Sequence, residues 1–441
     1  MSSLKEIEIQ NIDHLGIIAG IIDSIGLVEI INEIVGIEQG EKISPGHVVK
    51  AMILNGLGFV SSPLYMFPEF FKEKPCEYLI GEGVKAEYLN DDKLGRVMDK
   101  LFIKGLTEIF LTISISVMKE FNINLDSSHL DSTSMHLHGE YNINLPDVII
   151  ENSSSDSEIK SLQPIEITYG YSRDHRPDLK QFIIDLISSA DGDIPIFLKT
   201  ASGNQTDSAN FAKIFLQYKE QIKNNDSLKG GGLMVADAAL YNAKNISSLS
   251  GMKWLCRVPL TIGLAKELVS TLLSTDFVKS SLTGYRYAVI KSNYAGVEQR
   301  WLVVESSERK ESDIRKIEKR IAKSKISANE KLKKLLNSKF KSHQEAIKAV
   351  ENLNEQLKYH QVSNISYLEI SSTNKKEQST IYQVNATLSE NINAVKIAYL
   401  SAGRFVLATN VLDEESLSND EMISKYKEQQ SCVSEACLEE A

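Results

Sequence analysis

A chain of 441 residues with 42% hydrophobic content can build two to four domains with buried cores. Its formal net charge of −10 departs from the basic balance usual in nucleic-acid-binding proteins, and no apolar run of roughly 18 residues offers a membrane span. The opening Met1-Ser2-Ser3-Leu4-Lys5-Glu6 lacks the apolar run of a secretory signal. Cys76, Cys256, Cys432 and Cys437 show neither zinc-ligand spacing nor a disulfide framework, so a cytoplasmic location is expected.

In chain order, residues 1–124 read as a helical domain, expected to bind DNA. Asp13 is expected to cap a helix carrying Leu15, Ile17, Ile18, Ile21, Ile22 and Ile25, with Gly26 as its stop. Ser44-Pro45 starts a second helix, and Asp91 and Asp92 precede a third built on Leu94, Val97, Met98, Leu101 and Phe102. From 125 the pattern turns to strands. Ser128 to Ser134 alternates, Glu151 to Ser157 is a polar loop, and Lys180–Ile187 and Ile194–Thr200 flank the turn Ala190-Asp191-Gly192-Asp193. A helix over about 207–223, a short apolar strand ending before Asp237 and a strand over Lys253–Val258 complete the pattern. Strand, hairpin, helix, strand, helix, strand is the order of an RNase H-like α/β core, whose first part is assigned to 125–259.

Residues 260–400 read as an insertion of β pieces and a long helical hairpin, since one helix over about 307–360 would exceed the usual globular length. Between Arg309 and Lys341 there are thirteen Lys/Arg against four Asp/Glu, which fits either a solvated helix face or a contact with flanking DNA. Residues 401–441 return to the core, with Ser418-Asn419-Asp420-Glu421 as a capping box before a last helix through Gln430.

Asp131 and Asp237 each follow an apolar strand. Two carboxylates brought together at strand ends repel unless neutralised, and Mg²⁺ with oxygen ligands is the natural counter-charge. The plainer reading is that each acid caps a local turn. The stretch from Tyr169 to Lys180 gathers Arg173, Arg176, Lys180 and His175, which suits phosphate contacts or a turn satisfied by Asp174 and Asp178. His136 and His138 lack a third ligand nearby and read as an exposed edge.

Four stretches resemble insertion-sequence transposases of the DDE type: Leu130-Asp131-Ser132-Thr133-Ser134, the block Gly170 to Lys180, Gly203-Asn204 with Asp207, and Val235 to Tyr241. The similar subgroup carries an insertion between its second and third acids. The resemblance spans nearly the whole chain, including Tyr426-Lys427-Glu428-Gln429-Gln430. It implies an RNase H-like core with an N-terminal all-α domain, and Asp131 and Asp237 as the first two catalytic, metal-binding acids. It also implies Mg²⁺ as cofactor with Mn²⁺ as a substitute, DNA element ends and target as partners, a homodimer on DNA, and a prokaryotic, nucleoid-associated location. Arg173, Arg176 and Lys180 are the candidate DNA contacts.

In the family a Tyr is followed seven residues later by the catalytic Glu and then Arg-Gly, whereas seven residues after Tyr426 stands Val433. The codons GUG AGC GAG GCN for Val433-Ser434-Glu435-Ala436, read from the last base of the valine codon, give Glu-Arg-Gly. The expectation is a frame slip shortly before codon 433, leaving Val433 to Ala441 as an out-of-frame tail. Glu435 is a poorer third ligand, because two residues along a helix turn it about 200° from the intended face. The implied activity is two-metal DNA cleavage and strand transfer, impaired by the missing acid. The alternative is a catalytically inactive DNA-binding remnant or an inhibitor of full-length transposase.

Overall fold

In the computed structural model the described residues are 9–141, 148–149, 161–162, 164–171, 176–205, 214–218, 220, 232–249, 251–371 and 380–436. The chain is mixed α/β and divides into two compact units, residues 1–254 with 425–441, and residues 255–424. The division falls inside the strand Trp254–Val258 and inside the helix Asn419–Ala436. Among the described residues, no single helix is long and apolar enough to cross a membrane.

The first unit begins with helices α1 (Leu15–Ser24), α2 (Leu27–Val35), α3 (Pro45–Gly56), α4 (Asp91–Lys104) and α5 (Leu106–Glu120). Leu15, Ala19, Val48, Ala51, Leu54, Phe71, Leu94 and Val97 form one buried cluster, and Ile22, Ile25, Leu27, Ile31 and Ile109 a second. These are the helical-period positions of the sequence, and their burial holds the short helices in place more than propensity does. Ser44 caps α3, accepting from the His47 N–H, with Pro45 at the first helical position.

One expected cap moves, and two acids expected ahead of a helix fall inside it. His14, not Asp13, precedes α1, while Asp13 sits at φ 49° and its carboxylate faces Lys74 at 3.4 Å. Asn90 caps α4 by accepting from the Lys93 N–H, which releases Asp91 and Asp92 into the first turn where negative charge suits the helix dipole.

α5 packs on the sheet of the same unit. That sheet contains β1 (Ser127–Leu137), β2 (Lys180–Ser189), β3 (Pro195–Ser202) and β4 (Leu233–Ala236), in the order β3-β2-β1-β4. β1–β2 and β2–β3 are antiparallel; β1–β4 is parallel. β4 is fully buried, as an apolar run flanked by pairing partners should be. The Met234 N–H donates to the Lys253 carbonyl at 3.0 Å, so the chain re-enters beside β4 as the next strand begins.

In the second unit the strands are β5 (Trp254–Val258), β6 (Val278–Lys279), β7 (Tyr285–Tyr294), β8 (Val297–Ser306) and β11 (Arg404–Thr409), in the order β5-β11-β8-β7-β6. β8 and β11 are buried almost throughout and pair antiparallel through Leu302↔Leu407 and Val303↔Val406. The helical stretch breaks into α7 (Ser307–Asn337) and α8 (His343–Gln356), following α6 (Gly263–Thr271). Both α7 and α8 pack on a two-stranded ladder of β9 (His360–Ser371) and β10 (Thr380–Glu390) around Leu332, Leu335, Val350, Leu353, Val362 and Val384. α9 (Ile392–Ser401) precedes β11.

The last helix, α10 (Asn419–Ala436), opens with the expected box. The Glu421 N–H donates to Ser418 Oγ at 3.2 Å, and the Ser418 N–H to Glu421 Oε2 at 2.7 Å. It continues six residues past the Gln430 expected as its end.

Candidate active site

The site is built by β1, β4 and the part of α10 from Lys425 onward, all in the first unit. The β1–β4 ladder is parallel and its last pair is Leu130↔Ala236. Asp131, still within β1, and Asp237, the first residue after β4, each follow that pair, so they leave it at the same level from backbones about 4.8 Å apart. Leu130 and Ala236 are fully buried, whereas Asp131 and Asp237 are half-buried. The apolar pair forms a floor, and the two acids sit where the sheet meets solvent.

Asp237 also serves its own turn, because its Oδ1 accepts from the Ala239 N–H at 2.8 Å. The capping and the paired-carboxylate readings are therefore compatible: one oxygen fixes the side chain's direction as β4 ends.

Side chains alternate along β1, so Ser127, His129 and Asp131 share one face and Ser128, Leu130 and Ser132 the other. α10 lies on the first face. Lys425 Nζ donates to Ser127 Oγ at 3.1 Å, and Gln429 Nε2 reaches the Leu130 carbonyl at 3.4 Å. His129 lies between them, 1% exposed, and neither ring nitrogen has a hydrogen-bond partner among the described residues. Burial holds its pKa below the usual histidine value against the pull of Glu428 and Asp193, with Lys425 adding to the lowering.

On the other face Tyr218 packs edge-on against Phe197 with centroids 5.9 Å apart, and burial pushes its phenol up to about 12 despite a hydrogen bond with Ser128. Ser132 donates to the buried Asp185 carboxylate of β2. No pattern in the sequence marks His129, Asp185, Lys425 or Gln429 as neighbours of the site. His129 and Asp185 lie on strands and look like ordinary alternation, and the other two need the helix-on-sheet contact to be seen.

The expected phosphate contacts lie elsewhere. Asp131 pairs with Leu186, but Lys180 pairs with Leu137, six residues along β1 and roughly 20 Å from the acid at about 3.3 Å per residue. Lys180 Nζ donates to the Glu140 carbonyl and sits 6.0 Å from the Tyr169 ring centroid. Arg176 makes a two-pronged pair with Asp178, Nε to Oδ1 at 3.0 Å and Nη2 to Oδ2 at 2.9 Å. The Arg176 guanidinium brings the Asp178 carboxyl down to about 2. Arg173, with Asp174 and His175, lies outside the described residues.

This end of β2 is a backbone corner. Gln181 Nε2 donates to the Gly203 carbonyl at 2.9 Å, and the Gly203 N–H to the Glu166 carbonyl at 3.0 Å. A Cβ on Gly170 would run into the Gly203 carbonyl, and one on Gly203 into the Gln181 carbonyl. Both glycines are needed for this close approach.

Two carboxylates side by side, with a half-exposed outlook, suit one hard cation that keeps several waters and takes one or two protein oxygens. Among the described residues no group of three or more His, Cys, Asp or Glu side chains is placed to hold a metal ion.

Residues 7–115 match a family model described as a domain of unknown function, DUF4277. No curated protein matches the chain. Among solved structures, a piggyBac transposase synaptic complex with hairpin DNA, determined by cryo-EM, is similar at 8% identity with a TM-score of 0.27. That match covers 69% of this chain and 52% of that one. The chain thus spans about half the length of that structure, and a likeness at this TM-score has no bearing on activity.

Proposed function

We propose that this chain is a DNA-processing protein of the DDE transposase kind, with Asp131 and Asp237 as its metal-holding acids and Val433 where a third acid is required. One observation carries the reading: the parallel register Leu130↔Ala236 brings Asp131, which lies inside β1 rather than at the expected strand end, level with Asp237, the residue that follows β4. The order β3-β2-β1-β4, with antiparallel β1–β2 and β2–β3 and parallel β1–β4, is that of the first four strands of an RNase H-like core.

The helix supplies the second support. Along β1 the same-face residues 127, 129 and 131 advance by about 6.6 Å per step. Along α10 the positions 425, 429 and 433 advance by about 6 Å per step. Lys425 is level with Ser127 and Gln429 with Leu130. We take the next position in that progression, 433, as the one nearest Asp131 along the helix; it lies within α10 and is valine. Valine offers no metal ligand, so two acids remain of the three.

Mg²⁺ held by Asp131 and Asp237 would neutralise phosphate charge and lower the pKa of a water or 3′-hydroxyl nucleophile. The chain's own residues do the positioning. The Ala239 N–H fixes the Asp237 carboxylate, and buried His129, whose pKa burial lowers, shares the Asp131 face of β1. The missing acid favours binding of DNA and metal with little or no cleavage.

The experiment uses the purified chain with Mg²⁺ and a labelled duplex comprising the gene and its flanking sequence. Binding without nicking, and unchanged nicking background in Asp131→Ala, is the expected result. Strong nicking by the unaltered chain that disappears in Asp131→Ala would show that two acids suffice. Nicking that persists in Asp131→Ala and Asp237→Ala would remove the assignment.

A further inference from the structure

We infer that the long helix α7 of the second unit carries a binding track for the phosphate backbone of duplex DNA, separate from the carboxylate site. The sequence left the 309–341 charge run open between a solvated face and a nucleic-acid contact, and the helix geometry distinguishes them. α7 is a single helix of 31 residues. It buries Ile317, Ala328, Leu332 and Leu335 on one side. At about 100° per residue, Lys316, Lys319, Arg320, Lys323, Lys331 and Lys334 fall within about 60° of one direction, whereas the buried four centre about 120° away. All six cations are exposed. The stripe from Lys316 to Lys334 is about 27 Å long at 1.5 Å per residue.

A solvated helix face ordinarily carries its own counter-charges at i,i+4, and part of α7 does. Arg309 pairs with Asp313 at 3.6 Å and Arg315 with Glu311 at 3.6 Å. The stripe does not. Among the described residues, Lys316, Lys319, Arg320, Lys323 and Lys334 have no carboxylate within ion-pair distance, and Glu330 is the acid that interrupts them. Five uncompensated cations on one straight edge repel one another unless a polyanion of matching pitch lies along it. Neighbours three or four residues apart on a helix are about 5–6 Å apart. Duplex DNA presents a charge every ~1.7 Å of axis, so a 27 Å edge always has phosphates within reach. A membrane surface fits worse, because the apolar side of α7 is spent on the β9–β10 ladder and Ile326 is the one large apolar side chain that the described part of α7 leaves exposed. The concentration of positive charge is also local, in a chain whose net charge is −10.

The track is tested on the full chain by anisotropy with a fluorescent 30-base-pair duplex of arbitrary sequence, titrated between 50 and 200 mM KCl without Mg²⁺. The triple variant Lys316→Gln, Arg320→Gln, Lys323→Gln removes three on-stripe cations. The triple variant Arg315→Gln, Lys325→Gln, Lys333→Gln removes the same charge from other faces of the helix. With a slope of about 0.9 per phosphate, the on-stripe variant should flatten the dependence of log K on log salt by about 2.7. Its affinity deficit relative to wild type should then be largest at 50 mM salt and about fortyfold smaller at 200 mM. The off-stripe variant should change the slope by less than about 1. Equal effects of the two variants would overturn the track, as would an unchanged slope in both. Tighter binding to duplex RNA, or to vesicles rich in anionic lipid, than to duplex DNA would overturn the choice of partner. None of these outcomes depends on nicking, so the track can fail while the carboxylate reading stands, and the reverse.

Discussion

Replacing Asp131 by Asn should stabilise the first unit in the absence of metal and abolish its response to Mg²⁺. The reasoning starts from the register that puts Asp131 and Asp237 one residue beyond Leu130↔Ala236. Two unit charges about 5 Å apart repel by about 3 kcal/mol at an effective dielectric of 20 and by about 1 kcal/mol in bulk water. Both acids are half-buried, so about 1–2 kcal/mol of repulsion is expected. Asn keeps the shape of the side chain, and the Ala239 N–H bond to Asp237 survives. Saturating metal should reverse the ranking: an ion at a hundredfold its Kd adds about 2.7 kcal/mol to the wild type and far less to the variant. Urea unfolding followed by tryptophan fluorescence, in chelator and in 10 mM Mg²⁺, measures all four values. Trp254 is buried in the unit concerned and Trp301 in the second unit, so all proteins carry Trp301→Phe to leave Trp254 as the signal. A variant less stable than wild type in chelator, together with equal responses to Mg²⁺, would refute the paired-carboxylate geometry.

Two further outcomes concern the scaffold. Glu305, whose side chain is 6% exposed, accepts from Arg404 Nε at 2.9 Å and Arg286 Nε at 2.9 Å and pairs with Lys310 at 3.2 Å. Burial alone would raise its pKa, but the hydrogen bonds from Arg404, Arg286 and Lys310 outweigh it and hold the carboxyl below its usual value. A lowered folded pKa gives stability that is complete above the ordinary carboxyl value of about 4.3 and is lost as pH falls through the lowered one. Glu305→Gln should therefore cost about 3 kcal/mol near neutral pH and flatten the acid limb of a stability–pH profile, and an unchanged profile would contradict the cluster. Gly203→Ala should destabilise the first unit by about 1–3 kcal/mol, since backbone rather than a movable side chain blocks the added methyl; equal urea midpoints would show that the corner relaxes.

How much of this was legible in the sequence depends on how local each feature is. The capping box at Ser418, the cap at Ser44, the turn before β3 and the break between α7 and α8 are set within a few residues and emerge where expected. A near miss arises at α4, where Asn90 takes the cap and Asp91 and Asp92, expected ahead of the helix, fall in its first turn. The site was legible as two candidate acids, but not as a pair. Their adjacency depends on β1 pairing parallel to β4 across about a hundred residues of chain, which no periodicity records. The cation cluster misled for the same reason. Arg176 and Lys180 are close to Asp131 in sequence pattern, yet antiparallel pairing runs β2 backwards and carries Lys180 to the far end of β1. Asp178, two residues from Arg176, then takes its guanidinium. Sequence could also not tell that α10 runs alongside β1 in step with Ser127 and Leu130, which is what gives position 433 its meaning.

That position provides the most direct measurement. Val433→Glu should create Mg²⁺-dependent nicking of a duplex carrying the gene and its flanks, at a rate at least tenfold above the unaltered chain. Adding Asp131→Ala or Asp237→Ala should abolish the gain. A Val433→Glu chain that folds and binds the duplex but never nicks, or whose nicking survives loss of either aspartate, would contradict the claim that β1, β4 and α10 form one three-acid site.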